Sequence, residues 1–255
     1  MNGLKGLSSR SKCIWLTSLL LLVCLAPGCL ESDDSASSTD EIIADDSDSS
    51  TDEIIADDHI IYQGNKSFVT MDIIHAESAD NATLIYTIEI ELYHDLAPIH
   101  TDNMRSLAQA GMYDNVTFHR IIDNFMIQGG DFENNDGTGG YAANWYGYCD
   151  GEYMNNSSDC DSETLYTLPD EADNGLRHLP CMVSMAKTSQ PNTGGSQFFI
   201  MPDDITEHDW LNGVHTVFGK VVSGCEHVTT LSEVETGAYD RPVIPVIIIS
   251  ATVSE

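Results

Sequence analysis

The chain has 255 residues, enough for one domain of ordinary size with additional segments, and its apolar content is that of a globular protein. Its formal net charge of −31 argues against nucleic acid as a partner, because binding to phosphates requires a basic surface. The same charge disfavours direct binding to an anionic lipid surface.

Residues 1–29 have the composition of a targeting segment. Basic residues precede an apolar run at 14–23, which is too short to span a bilayer comfortably. Small residues then lead to Cys29, in an order that resembles a prokaryotic lipoprotein signal with Cys29 as the lipidated residue, although Ala26 stands where such signals usually carry leucine. Ordinary secretion with cleavage nearby, or an uncleaved anchor, are the alternatives. We expect an extracytoplasmic protein, held at the cell membrane through lipidated Cys29 alone, or secreted if it is not lipidated.

Residues 30–66 are predicted to form an acidic, disordered tether. Ser, Asp and Thr dominate, and the ten residues that begin at Ser37 recur from Ser49. Two copies are too few for a solenoid, and dense like charge without a hydrophobic core favours disorder. Binding of a partner by the repeated Glu-Ile-Ile-Ala is the alternative interpretation.

Residues 67–255 are predicted to form one mainly β domain. Strands are predicted at 68–74, 83–92, 117–122, 126–130, 182–186, 197–200, 214–222 and 246–253, and helices at 98–110 and 225–231. Pro98 is suited to the first turn of its helix, on which Met104, Leu107 and Ala108 are expected to face inward.

Residues 118–132 predict a hairpin with an unusual set of side chains. Because strand side chains alternate, Phe118, Arg120 and Ile122 are expected to share one face, as are Met126 and Gln128 on the next strand. An arginine, a thioether and an amide would then lie close together on one sheet. The ordinary alternative is a surface arginine beside a hydrophobic hairpin.

Three motifs of unusual composition occur in this domain. They read FHRIIxxFMxQGGDF from residue 118, SMAxT…PNTxGSQFFI from residue 184 and WLxGxHxVFGKV from residue 210. Together and in this order they resemble the cyclophilin family of peptidyl-prolyl cis-trans isomerases. The resemblance implies a closed eight-stranded antiparallel barrel with two capping helices, and proline-containing polypeptides as substrates.

Rotation about an X–Pro bond requires loss of amide resonance, with a barrier of roughly 18–20 kcal/mol, but no proton transfer. A guanidinium that donates to the prolyl nitrogen in the twisted state would lower that barrier. The resemblance assigns this role to Arg120, with Gln128 beside it. It places the remaining substrate-binding residues at Phe125, Met126, Ala186, Lys187, Gln197, Phe199, Trp210, Leu211 and His215. No cofactor and no metal is expected.

Two positions bear on specificity. Lys187 stands where the family often has asparagine, which is expected to shift substrate preference without abolishing activity. Trp210 matches the tryptophan of cyclosporin-sensitive members, so a cyclosporin-type ligand is a candidate partner. The alternative function is a cyclophilin-like module that binds proline peptides with little turnover.

Residues 141–165 are an insertion relative to compact members of the family. Cys149 and Cys160 within it are candidates for a disulfide in an extracytoplasmic protein. Its acidic residues lack the spacing of an EF-hand, so a solvated acidic loop is expected rather than a calcium site. Cys181 and Cys225 are expected to be small buried residues, with their pairing left open.

Overall fold

The computed structural model describes residues 62–255. The predicted signal segment with Cys29, and all but the end of the predicted tether, lie outside the described residues. The strands are β1 (Lys66–His75), β2 (Tyr86–Tyr93), β3 (Val116–Thr117), β4 (Arg120–Ile122), β5 (Met126–Gly129), β6 (Tyr148–Cys149), β7 (Glu152–Tyr153), β8 (Tyr166–Thr167), β9 (Met182–Met185), β10 (Phe198–Ile200), β11 (Val217–Ser223) and β12 (Val246–Ser254). The two α-helices are α1 (Pro98–Gln109) and α2 (Cys225–Ser232).

Nine of these strands form one curled sheet in the order β3-β12-β1-β2-β11-β9-β10-β5-β4. All the neighbouring pairs are antiparallel. The sheet does not close, because within residues 62–255 its terminal strands β3 and β4 pair with β12 and β5 and not with each other. The predicted closed eight-stranded barrel is therefore wrong, whereas the mainly β class and the two helices are confirmed.

The predicted strand at 117–122 is interrupted at Phe118 and His119, which separates β3 from β4. Phe118 and Ile121 both lie in the hydrophobic core, 1% and 0% exposed. Residues three apart on a regular strand point to opposite faces, so burying both requires a break in the strand. Phe118 N–H still donates to the Val246 carbonyl (2.8 Å), and pairing passes from β12 to β5 beyond it.

The core lies inside the curled sheet and under the helices. On β1, Val69, Met71 and Ile73 are fully buried at alternate positions, as period-two patterning requires. Helix α1 begins at Pro98, as predicted, and its predicted inward residues Met104, Leu107 and Ala108 are all buried in the core.

Helix α1 takes its N-terminal cap from a distant part of the chain. Glu171 accepts hydrogen bonds from the backbone N–H groups of Ile99 and His100 and from His100 Nδ1 (2.6 Å). Burial raises the pKa of the Glu171 carboxyl, but its hydrogen bonds with His100 and Ile99 outweigh this and leave that pKa below its ordinary value. Glu171 therefore fixes the chain that leads from the insertion toward β9 against the helix.

The insertion has its own small sheet, in the order β7-β6-β8. A disulfide joins Cys149 to Cys160, as the sequence predicted, with the two Cα atoms 5.8 Å apart. A second disulfide joins Cys181, just before β9, to Cys225 at the start of α2. The expectation that these two cysteines are buried is wrong, because both pack against the core but are partly exposed. Their pairing, which the sequence left open, is this disulfide.

Within residues 62–255, no helix is both long enough and apolar enough to cross a membrane.

Candidate active site

The predicted site residues converge on the strands at the β4 end of the sheet. Arg120 on β4 lies opposite Gln128 on β5, which lies opposite Phe199 on β10. Directly opposed residues of antiparallel strands project from the same face. The three motifs therefore meet on one side of the sheet, and the guanidinium, the amide and the phenyl ring form a row across three strands.

An apolar pocket lies at the phenylalanine end of this row. Met126, Phe199 and Leu211 are 1%, 5% and 3% exposed and belong to one hydrophobic cluster. Phe125 and Ala186 are partly buried against the same cluster. The structure thus brings together five of the apolar side chains that the resemblance assigned to substrate binding.

Aromatic rings and histidines line the pocket further. Phe199 stacks on His178 (centroids 5.8 Å apart) and meets the ring of His215 edge-on at 5.6 Å. The Trp210 ring lies 5.5 Å from that of Phe125 and is 62% exposed. The Trp210 ring is therefore accessible at the rim of the pocket. The Phe199 ring, in contrast, is packed between the rings of His178 and His215.

Burial lowers the pKa of both of these histidines. Burial lowers the pKa of His215, although its Nδ1–H donates to the Met185 carbonyl (2.9 Å) and partly offsets that effect. Burial also lowers the pKa of His178 to about 4. His178 hydrogen-bonds Asn212 Oδ1 and Ser184 Oγ, each at 2.9 Å. Burial therefore disfavours the cationic form of the two imidazoles that contact Phe199.

Gln128 and Gln197 form a chain of hydrogen bonds that ends at the loop of residues 137–139. Gln128 Nε2 donates to Gln197 Oε1 (3.1 Å), and Gln197 Nε2 donates to the carbonyls of Gly137 (3.0 Å) and Gly139 (2.7 Å). The resemblance places Gln128 beside Arg120 and Gln197 among the substrate-binding residues. Gln197 holds carbonyls of the protein's own loop, and Gln128 is oriented by Gln197.

Arg120 is partly exposed, and its Nε lies 3.3 Å from Asp240 Oδ2. Asp240 belongs to a short 3₁₀ turn, Ala238–Asp240, that follows α2 by several residues. Sequence reasoning missed this partner, since Asp240 lies outside all three motifs and 120 positions from Arg120. No signal short of the fold itself relates the two.

Lys187 lies at the edge of the site and is not free to reach outward. Its side chain is 6% exposed and its Nζ lies 3.5 Å from Asp170 Oδ2 and 3.4 Å from the Gln190 carbonyl. The ammonium group therefore ties the loop after β9 to the chain before it. Lys187, which replaces the family's usual asparagine, can therefore affect substrate preference only through these interactions or through its backbone.

A cavity of about 600 Å³ adjoins the row of site residues. Gln128, Ala186 and Gln197 form one side of it. The insertion also lines it, with residues 150–152 and 164–165, as do the next two residues, 166–167. The insertion therefore forms part of the wall of this cavity, which is the groove beside the site residues.

Comparisons with known proteins agree with this geometry. Residues 80–253 match the family model described as cyclophilin type peptidyl-prolyl cis-trans isomerase. The chain belongs to this family, whose activity is peptidyl-prolyl cis-trans isomerisation.

Two fungal relatives align with most of the domain. Peptidyl-prolyl cis-trans isomerase-like 1 of Gibberella zeae is 37% identical over 173 residues, which is 68% of this chain and 92% of the relative. The protein of the same name from Aspergillus fumigatus is 39% identical over the same shares of the two chains.

Solved structures give the same fold. A cyclophilin type peptidyl-prolyl cis-trans isomerase of Cryptosporidium parvum superposes with a TM-score of 0.58 at 25% identity, covering 75% of this chain and 99% of that one. Its structure in the presence of the dipeptide Ala-Pro gives a TM-score of 0.57 at 26% identity, with 74% and 99% covered.

Proposed function

We propose that this chain is an extracytoplasmic prolyl isomerase that assists the folding of exported or surface proteins. The observation that carries the catalytic part is the row Arg120–Gln128–Phe199, in which a guanidinium stands across one strand from an apolar proline pocket. Family membership supplies the activity, and the row supplies the residues that this chain would use for it.

The proposed chemistry needs only binding and hydrogen bonding. Burial of the proline ring against Phe125, Met126 and Phe199 fixes one side of the X–Pro bond. Arg120 then donates to the prolyl nitrogen as the amide twists and the nitrogen lone pair localises. This hydrogen bond is stronger in the twisted state than in the planar one, and differential stabilisation of this kind accelerates rotation.

The location rests on the first 66 residues. The basic residues and short apolar run before Cys29 support export and lipidation, and the acidic segment that follows supports a tether between lipid and enzyme. The two disulfides within residues 62–255 agree with an oxidising compartment. We therefore propose that the membrane is contacted through the lipid on Cys29 alone.

Trp210 supports a proposal about inhibitors. Its ring is largely exposed beside Phe125 at the rim of the pocket, where a bulky macrocycle could lie against it. We propose that a cyclosporin-type ligand occupies the groove and competes with the peptide.

The direct test is turnover of a proline tetrapeptide by the full-length chain in a protease-free isomerisation assay. Catalysis well above the spontaneous rate, inhibited by a second proline peptide, is the expected result. Saturable binding of the peptide without acceleration would instead show a proline-binding module.

A further inference from the structure

The ion pair between Arg120 and Asp240 links the sheet to a turn near the end of the domain. Arg120 Nε lies 3.3 Å from Asp240 Oδ2, and the two side chains are 39% and 47% exposed. An arginine has five N–H donors in a fixed plane, and contact at Nε engages only one of them. Within residues 62–255, the terminal nitrogens of Arg120 have no other hydrogen-bond partner, so they remain available to a substrate.

The turn that carries Asp240 is held in an unusual backbone conformation. Tyr239 has φ 62° and Asp240 has φ 58°, two consecutive residues in the left-handed region, which a bulky residue such as tyrosine rarely adopts. The turn is closed by hydrogen bonds from Gly237 N–H to the Arg241 carbonyl (2.8 Å) and from Val243 N–H to the Glu235 carbonyl (2.9 Å).

The strained residues gain little from burial of their own side chains. The Tyr239 ring is 93% exposed, so its packing does not account for the conformation. What the conformation achieves is to bring the Asp240 carboxylate against Arg120. Backbone strain that persists beside a reacting group is a recognised mark of a functional constraint.

Holding the guanidinium matters because its orientation decides whether it reaches the prolyl nitrogen. A free arginine side chain samples many rotamers, and a donor that must be ordered during the reaction contributes less than one already in place. A carboxylate at Nε fixes the plane of the guanidinium while leaving its two terminal nitrogens unengaged.

We propose that Asp240 is a positioning residue for the isomerase reaction, which holds Arg120 by Nε so that its terminal N–H groups are oriented toward the substrate. This rests on the proposed role of Arg120. Asp240 itself does not touch the substrate, and its effect is expected on kcat rather than on KM, since the proline pocket lies on other residues.

Two substitutions separate this role from a structural one. Asp240→Gly removes the carboxylate and suits the left-handed backbone, since glycine adopts positive φ freely. Asp240→Asn keeps one oxygen acceptor and also tolerates this conformation. In the full-length chain we expect Asp240→Gly to lower kcat about five- to thirty-fold with KM little changed. Asp240→Asn should fall between it and the wild type, and neither should lower Tm.

The matched control is Glu235→Gln. Glu235 is an exposed residue of the segment that closes this turn, and within residues 62–255 its carboxylate has no hydrogen bond or ion pair with Arg120. If the loss of one negative charge near the groove were sufficient, Glu235→Gln would change kcat as much as Asp240→Asn does. We expect it to leave kcat unchanged.

A double-mutant cycle with Arg120→Ala completes the test. If Asp240 acts through Arg120, Asp240→Gly has no further effect on kcat in the Arg120→Ala background. Unchanged or increased kcat in Asp240→Gly, with Arg120→Ala strongly impaired, would overturn the positioning role and leave the role of Arg120 intact. Wild-type turnover in Arg120→Ala would overturn the role of Arg120 first, so the two failures are distinguishable.

Discussion

The buried carboxylate of Asp131 organises the loop whose carbonyls hold Gln197. Asp131 accepts hydrogen bonds from five backbone N–H groups between residues 133 and 139. Gln197 donates to the carbonyls of Gly137 and Gly139 in this same loop, and Gln128 donates to Gln197. The Asp131 carboxylate thus orients the Gln128 amide, which lies next to Arg120, through the loop and Gln197.

Asp131→Asn should therefore impair both stability and catalysis. An asparagine cannot accept from all five donors, and breaking a buried hydrogen-bond network costs about 2–4 kcal/mol. We expect a lower free energy of unfolding in urea and a lower kcat/KM, because Gln197 loses ordered partners. Asp136→Asn is the control, since the Asp136 carboxylate is exposed on the same loop and accepts hydrogen bonds only from Thr138. Equal effects of the two substitutions would contradict the central role of Asp131.

The acid sensitivity of the fold should depend on His178. Burial lowers the pKa of His178 from 6.5 to about 4, so between these values the unfolded chain binds a proton that the folded chain does not. Stability from this group is fully present above pH 6.5 and is lost as the pH falls toward 4, by about 3 kcal/mol in total. Unfolding free energy measured from pH 7 to pH 4 should fall accordingly, and less steeply in His178→Gln.

The two disulfides should stabilise the domain unequally. In the chain-entropy model the 11-residue separation of Cys149 and Cys160 gives about 3 kcal/mol, and the 44-residue separation of Cys181 and Cys225 about 4 kcal/mol. Peptide mapping of the exported protein without reductant should find both linked pairs. Ser replacement of the Cys181–Cys225 pair should lower the unfolding free energy more than replacement of the other pair. Free thiols at all four positions would contradict both assignments.

Cys29→Ser should release the protein from the membrane. If the attachment is a lipid on Cys29, its loss leaves an acidic protein with no affinity for an anionic surface. Fractionation of cells that express the two forms measures this, with a high-salt wash to remove peripheral proteins. Retention of Cys29→Ser in the washed membrane fraction would show that the segment before Cys29 remains as an anchor.

Sequence reasoning was accurate where composition and chemistry are local. The positions of the long strands and of α1 follow from period-two and helical patterning, and the pocket residues lie within continuous motifs. The break at Phe118 and the cap from Glu171 depend on which residues meet in three dimensions, and no local pattern encodes them. The same holds for the Cys181–Cys225 bond and for Asp240 beside Arg120.

The most direct test of the account is the effect of Arg120→Ala on X–Pro isomerisation, measured by a protease-free assay with thermal melts in parallel. Because Arg120 is partly exposed, we expect an unchanged Tm. Loss of a hydrogen bond made mainly in the twisted state should lower kcat/KM by about ten- to a thousand-fold, roughly 1.4–4 kcal/mol. Arg120→Lys should restore activity only in part, because an ammonium lacks the planar fork. Phe199→Ala should instead raise KM by emptying the proline pocket. An Arg120→Ala protein with both wild-type melting and wild-type turnover would contradict the proposed mechanism.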